Sequence, residues 1–201
     1  MNTENMKKKP TTEEQKADNW FQACAESFLR RIGVRECLQV ADVGCHNGQF
    51  TVPAARIVGS CGTVYAIDKD KDVLTNVKQR ISKNGRRNVK VIEVDLANDG
   101  MAGLPNGEVD LALLYDMLHR GYLPDKRDRG NVLTHVYQLM KPGGTLSCFP
   151  THLKKYGFTF EALLNEIAEA GFILKGEFRP RLVHDGRLVR GRVFEFRKPR
   201  S

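Results

Sequence analysis

Long apolar runs are missing from this 201-residue chain. No stretch approaches the roughly 20 residues that a membrane span needs. The five cysteines (Cys24, Cys37, Cys45, Cys61 and Cys148) include no C-x-x-C pair. An odd and scattered set builds neither a disulfide framework nor a zinc site, so free thiols in a reducing cytosol are expected. The first ten residues are polar and contain Lys7, Lys8 and Lys9, which is not a secretory signal. A cytoplasmic protein follows as the expectation. Repeats and low-complexity tracts are also missing, and the length suits one domain with a sizeable core.

What is present is ordinary for a globular protein, with 41% hydrophobic and 28% charged residues. The formal net charge of +8 is unevenly placed. From Lys175 to Ser201 nine Lys or Arg face three acids. Such a face suits nucleic acid or an anionic small molecule, and is more often just a solvated surface.

Residues 1–10 read as a flexible tail. Thr11 with Glu14 offers a capping box for a helix that carries Trp20, Cys24 and Phe28 at helical spacing and stops near Gly33. From there strand-like and helix-like segments alternate. Apolar strands are expected at 37–43, 63–67, 88–94 and 109–115, and each closes on or just before an acid: Asp42, Asp68, Asp95 and Asp116. A fifth strand is expected at 145–149 after the breaker Lys141-Pro142-Gly143-Gly144. Thr159 caps a further helix, and strands at 172–178 and 192–197 flank the turn signal Asp185-Gly186. The domain reading is a tail at 1–10 and one domain at 11–201, with an N-terminal helix at 11–33, a core at 37–150, and a helix and β-hairpin at 159–198.

In an open α/β sheet, ligands bind at the carboxyl ends of the strands, so the four acids should line one crevice. The first loop, Asp42-Val43-Gly44-Cys45-His46-Asn47-Gly48, limits what that ligand is. A dinucleotide needs G-x-G-x-x-G, but counting from Gly44 the next two glycine positions hold His46 and Gln49. Asp42 also sets a negative charge where a pyrophosphate would lie. A cationic ligand tolerates that acid far better.

These residues resemble the E/D-x-G-x-G-x-G motif of class I S-adenosylmethionine-dependent methyltransferases. The resemblance continues through Asp68, Asp95-Leu96, Asp116 and Lys141-Pro142-Gly143-Gly144, covering about Val40 to Phe149. It is nearest to the small ubiquinone/menaquinone-biosynthesis-type branch. The resemblance implies a Rossmann-like three-layer α/β sandwich, with a mostly parallel seven-stranded sheet whose C-terminal strand is reversed. It implies S-adenosylmethionine as cofactor, with Gly44, Cys45 and Gly48 around its methionine moiety and Asp42 near the amino group. Asp68 would accept from both ribose hydroxyls, 20 residues beyond Gly48. Lys69 would flank the adenine, Asp95 and the Leu96 N–H would pair with its edge, and Asp116 would lie near the donor methyl. The departure is His46, where the family has glycine. If the position needs a positive φ, histidine is among the residues that enter it more readily.

Methyl transfer from a sulfonium is an in-line displacement that rests on proximity and orientation, so catalytic residues leave little trace in sequence. His119 is the candidate base, since its ordinary pKa is near neutrality; capping of a local turn is the other reading. No metal site is expected: Asp125 and Asp128 are near Asp116 in sequence, but in a basic loop. A small-molecule acceptor is the first expectation. An RNA acceptor, held by Lys7–Lys9 and Arg179, Arg181, Arg187, Arg190 and Arg192, is the alternative. A non-catalytic module that keeps the fold is the third reading.

Overall fold

The carboxyl ends of four adjacent parallel strands, which carry the acids singled out above, form the floor of the molecule's main crevice. The structure is a computed structural model and describes residues 12–200. The tail at 1–10 and the Thr11 cap lie outside these residues. The described start of the first helix is capped one position later: the Thr12 side chain accepts from the Gln15 N–H, and Gln15 answers on the Thr12 N–H. A single helix was expected to Gly33. Instead α1 (Glu13–Ala23) and α2 (Ala25–Arg31) are separated by a break at Cys24.

The sheet has seven strands. They are β1 (Gln39–Val43), β2 (Thr63–Asp68), β3 (Val89–Glu93), β4 (Val109–Tyr115), β5 (Met140–Phe149), β6 (Ile173–Phe178) and β9 (Val193–Arg197), in the order β3-β2-β1-β4-β5-β9-β6. All neighbours pair parallel except β9, which is antiparallel to both β5 and β6. The Rossmann-like sheet with one reversed strand is thus present. Helices α3 (Thr51–Val58), α4 (Lys71–Lys83), α5 (Lys126–Leu139) and α6 (Phe160–Glu169) cross over its faces. Both faces are covered, which is why β1 and β4 are almost continuously apolar: Val40, Ala41, Leu113 and Leu114 are fully buried. Each such Val or Leu contributes about 1.5–3 kcal/mol.

Two expectations need correction. Asp185-Gly186 does not join the last two sheet strands. It is the tip of a separate hairpin, β7 (Arg181–His184) and β8 (Arg187–Arg190), inserted between them. Both tip residues have positive φ, 48° and 69°, as a two-residue I′ turn demands. Leu182 of this hairpin is fully buried in an apolar cluster with Trp20, Phe28, Phe50, Tyr115 and Phe149, so hairpin and α1 together roof one side of the crevice.

The cysteines are not all free. Cys37 and Cys61 form a disulfide, while Cys24, Cys45 and Cys148 are thiols. Spacing hid this pair because the contact is tertiary. β1 and β2 run parallel in register from Gln39 against Thr63, which brings the residues just before them to a Cα separation of 4.6 Å. The disulfide lies at the opposite end of the strands from the crevice. Among the described residues, no helix is long and apolar enough to cross a membrane.

Candidate functional site

The four acids line one edge of the sheet but divide between two adjoining spaces that share Gly44. A narrow pocket of about 20 Å³ is walled by Val43, Gly44, Asp68, Lys69, Asp95, Leu96, Met117, Tyr122 and others. A larger crevice of about 390 Å³ includes Asp42, Cys45, His46, Asn47, Phe50, Tyr115, Asp116, Phe149 and His184. Asp68 and Asp95 thus belong to the first space, and Asp42 and Asp116 to the second.

The loop between them is held by the backbone. The N–H groups of Gly44 and Cys45 both donate to the Ile67 carbonyl, at 2.8 and 3.0 Å. Gly44 has φ 70°, and a Cβ there would collide with the Met117 side chain, so glycine is required twice over. His46 does adopt a left-handed φ of 44°, and its N–H donates to Asp68 Oδ2 at 3.0 Å. The non-glycine residue at this position is therefore tied to the acid that ends β2. Asp68 Oδ1 also accepts from the Asp70 N–H at 3.1 Å. The carboxylate is aimed by two backbone donors and keeps lone pairs on each oxygen for further donors.

Asp42 is buried, and its Oδ2 accepts from Thr51 Oγ1 at 2.6 Å. Burial pushes its pKa up to about 6, with the Asp68 charge adding to the rise and the Thr51 hydroxyl opposing it. Cys45 is buried too, and its thiol is raised far out of reach of neutral pH by burial and by the charges of Asp42 and Asp68. It serves as wall, not nucleophile. Asp95 is turned partly inward: it accepts from the Ala97 N–H at 2.9 Å and from Asn98 at 3.1 Å, and Lys69 stands 3.6 Å away. Burial alone would raise its pKa, but those three partners together hold it below the usual value. The Lys69 ammonium also lies 4.9 Å above the Tyr122 ring.

Residues that sequence did not single out fix these loops. His135 Nδ1 bonds to the Leu96 carbonyl at 2.7 Å and Asn131 to the Ala97 carbonyl at 2.9 Å, so α5 pins the loop after β3. Arg129 is 2% exposed and makes a bidentate pair with Glu166 of α6, at 2.7 and 2.8 Å. Its remaining donors hold the carbonyls of Leu123 and Pro124, in the loop that brings Tyr122 and Leu123 to the small pocket.

On the other side of Gly44, Asp116 has φ 56°, and its N–H donates to the Phe149 carbonyl at 2.9 Å. His119 has both ring nitrogens engaged locally. Nδ1 accepts from the N–H groups of Gly121 and Tyr122, at 3.1 and 3.2 Å, and Nε2 lies 3.7 Å from Asp116 Oδ1. Burial lowers its pKa, against the pull of Asp116 and together with the imidazoles of His152 and His184. Those two histidines were not anticipated. His184, at the end of β7, places Nδ1 3.3 Å from Asp116 Oδ2, a contact that raises its pKa against burial. His152 follows β5 and meets the His184 ring at a centroid distance of 4.5 Å.

A crevice at the strand ends, a glycine loop without phosphate glycines and a buried acid beneath it describe a nucleoside-type site with a cationic partner. A family model described as "Methyltransferase domain" matches residues 40–144. The chain belongs to the methyltransferase domain family. Its fold is shared with solved S-adenosylmethionine-dependent methyltransferases.

The chain is 28% identical over 127 residues to demethylmenaquinone methyltransferase from Geobacillus sp. (strain WCH70), covering 63% of this chain and 50% of that protein. The enzyme of the same name from Geobacillus stearothermophilus matches with the same identity and coverage. The methyltransferase chain thus spans about half the length of these curated relatives. A SAM-dependent methyltransferase from Aquifex aeolicus has the same fold, with a TM-score of 0.69 at 18% identity over 92% of this chain and 99% of the other.

Proposed function

We propose that this chain transfers a methyl group from S-adenosylmethionine directly, by in-line displacement, to a small-molecule acceptor. One observation carries the reading: two spaces of different character meet at Gly44. The lining of the smaller one offers the groups that a nucleoside needs. Asp68 offers its carboxylate to the ribose, Lys69 and Asp95 border the adenine, and Val94, Leu96 and Leu123 supply apolar surface. The methionine moiety then follows Gly44, Cys45 and Gly48, with its ammonium toward Asp42. This course brings the sulfonium methyl out beside Asp116.

The acceptor space is walled by Phe50, Tyr115, Phe149 and Val183 and roofed by the β7–β8 hairpin. Its size and aromatic walls match a planar small molecule. The name shared by the Geobacillus relatives points to a quinol-like acceptor of this kind. The basic set proposed for RNA is partly spent: Arg192 pairs with Glu177 and stacks on Phe160 and Phe194, and Arg179 lies near the same acid.

His119 fits a positioning role in this reading. A neutral ring whose Nδ1 accepts two N–H bonds carries its proton on Nε2, which faces Asp116 Oδ1 at 3.7 Å, and so has no free lone pair to take a proton from the acceptor. Asp116 and His184 are the polar end of the acceptor space, and receive the acceptor's polar group.

The test is ligand-dependent stabilisation followed by turnover. S-adenosylhomocysteine at 100 times its Kd should stabilise the native state by about 2.7 kcal/mol. Asp68→Asn should remove most of that shift. Radiolabelled methyl from S-adenosylmethionine should then pass to a member of a panel of quinols and phenols. No shift at millimolar ligand defeats the cofactor placement; a shift without transfer to any small acceptor, together with transfer to RNA, defeats the acceptor class.

A further inference from the structure

We propose that Asp116, His152, His184 and Asp185 bind a divalent transition-metal ion at the acceptor end of the crevice. The site itself stands on its own geometry; only the use made of the ion rests on the methyl-transfer reading above.

The four side chains come from three separate places: the end of β4, the loop after β5, and the tip of the β7–β8 hairpin. Each offers one ligand atom, and these atoms lie within 4.8 Å of one another. Three contacts in the cluster are short, and since His184 turns only one of its two ring nitrogens to a single ion, they supply at most two edges of one coordination set. His184 Nδ1 is 3.3 Å from Asp116 Oδ2, and Asp185 Oδ2 is 3.5 Å from both His152 Nε2 and His184 Nε2. Ligands with bonds of about 2.1 Å in a tetrahedron stand roughly 3.4 Å apart. The remaining edges are no longer than 4.8 Å, within reach of side-chain rotation about an ion.

Two further observations point to a ligand here. Among the described residues only three buried side-chain N or O atoms have no hydrogen-bond partner, and two of them are Asp116 Oδ1 and Thr151 Oγ1, in the cluster and beside it. Orphaned buried oxygens are costly, and an ion or its bound water is a partner for them. Asp116 and His152 also both hold a left-handed φ of 56°. For non-glycine residues such a conformation is strained and concentrates at functional sites. The positive φ of Asp185 has its own cause in the I′ turn.

Two imidazoles with two carboxylates suit zinc, iron, cobalt or nickel better than magnesium or calcium, which prefer all-oxygen sets. The two carboxylates balance a dication. The position also has a use. Asp116, His184 and Asp185 border the methyl-transfer crevice, while His152, His184 and Asp185 border a second, open cavity of about 520 Å³ lined also by Thr151, Arg187 and Val189. An ion between them meets an acceptor from either space, with exposed Asp185 the ligand most easily displaced. An acceptor hydroxyl bound to the ion loses its proton to solvent, and the resulting oxygen anion attacks the sulfonium methyl. An O–C bond forms as the C–S bond breaks, and that electron pair stays on sulfur.

The test is cobalt(II) titration of the tag-free full chain, followed by calorimetry and visible absorption. One equivalent should bind and give the intense d–d bands of four- or five-coordinate cobalt, without thiolate charge-transfer absorption. His152→Gln and His184→Ala should each weaken binding roughly tenfold or more. Asp185→Asn should also weaken it, and this variant keeps a residue that suits the same turn. Circular dichroism checks that each variant is folded. Failure to bind cobalt or zinc tighter than about 100 µM, variants that bind like the parent, or a thiolate spectrum would each overturn the site. S-adenosylhomocysteine binding, measured in parallel, keeps the readings apart. Cobalt binding without it leaves the metal site and removes the methyl-transfer reading, while the reverse removes only the metal site.

Discussion

Asp42→Asn should make the protein more stable and unable to hold its cofactor. The Asp42 carboxyl is 4% exposed and has a pKa of about 6 against an ordinary 3.8. Because the folded-state value is raised, the folded chain holds this proton more tightly than the unfolded chain does. The favourable contribution is complete below pH 3.8 and is lost as pH rises through about 6. At neutral pH the buried, ionised carboxylate therefore costs up to roughly 3 kcal/mol of folding free energy. Asparagine removes the charge and can still accept the Thr51 hydroxyl, though its amide nitrogen needs a partner that the carboxylate did not. The expected gain at pH 7 is a rise in Tm of several degrees, at most about 10 °C for a chain of this size.

In the proposed placement, the ammonium group of S-adenosylmethionine supplies the counter-charge that this buried acid otherwise lacks. In the parent protein, S-adenosylhomocysteine affinity should then fall about tenfold per pH unit below 6, since binding must first ionise Asp42. In Asp42→Asn that pH dependence should vanish along with most of the affinity. Trp20, the single tryptophan, is buried against Phe28 and Phe50 and reports unfolding by fluorescence. Melts at pH 4 and pH 7, with and without ligand, provide the four values needed. A variant destabilised equally at both pH values, or one that binds S-adenosylhomocysteine like the parent, would refute this account of Asp42.

Two further predictions concern stability away from the crevice. Glu166→Ala should cost about 3–5 kcal/mol, because it strands a buried guanidinium; urea unfolding measures the loss, and a cost under about 1 kcal/mol would show that Arg129 finds water instead. Reducing Cys37–Cys61, which closes a loop with a sequence separation of 24, should lower stability by about 3 kcal/mol. Melts of the reduced protein and of Cys37→Ser/Cys61→Ser test this, and intact mass before and after alkylation counts the thiols.

Local chemistry was legible in the sequence. The strand positions and the acids that end them follow from apolar runs and turn residues, which act over a few neighbours. The glycine loop after β1 was legible for the same reason: Asp42, Gly44 and Gly48 lie within seven residues, while the left-handed φ of His46, raised in the sequence only as a condition, is a finding of the structure. Errors of a single residue, such as the cap at Thr12 instead of Thr11, are what local signals leave open when Thr-Thr offers two hydroxyls side by side.

Whatever depended on distant segments meeting was decided by tertiary structure. Cys37 and Cys61 look unrelated until two parallel strands are placed in register. Arg129 and Glu166 read as two surface charges until α5 packs on α6. Asp185-Gly186 was readable as a turn, because the I′ conformation is a property of those two residues. That the turn belongs to an inserted hairpin, carrying His184 and Asp185 over the sheet edge to meet Asp116 and His152, was not. A motif encodes the part of a site built from one loop. The cluster around Asp116 is built from three, and the packing of Leu182 and its neighbours against the N-terminal aromatic residues brings them together.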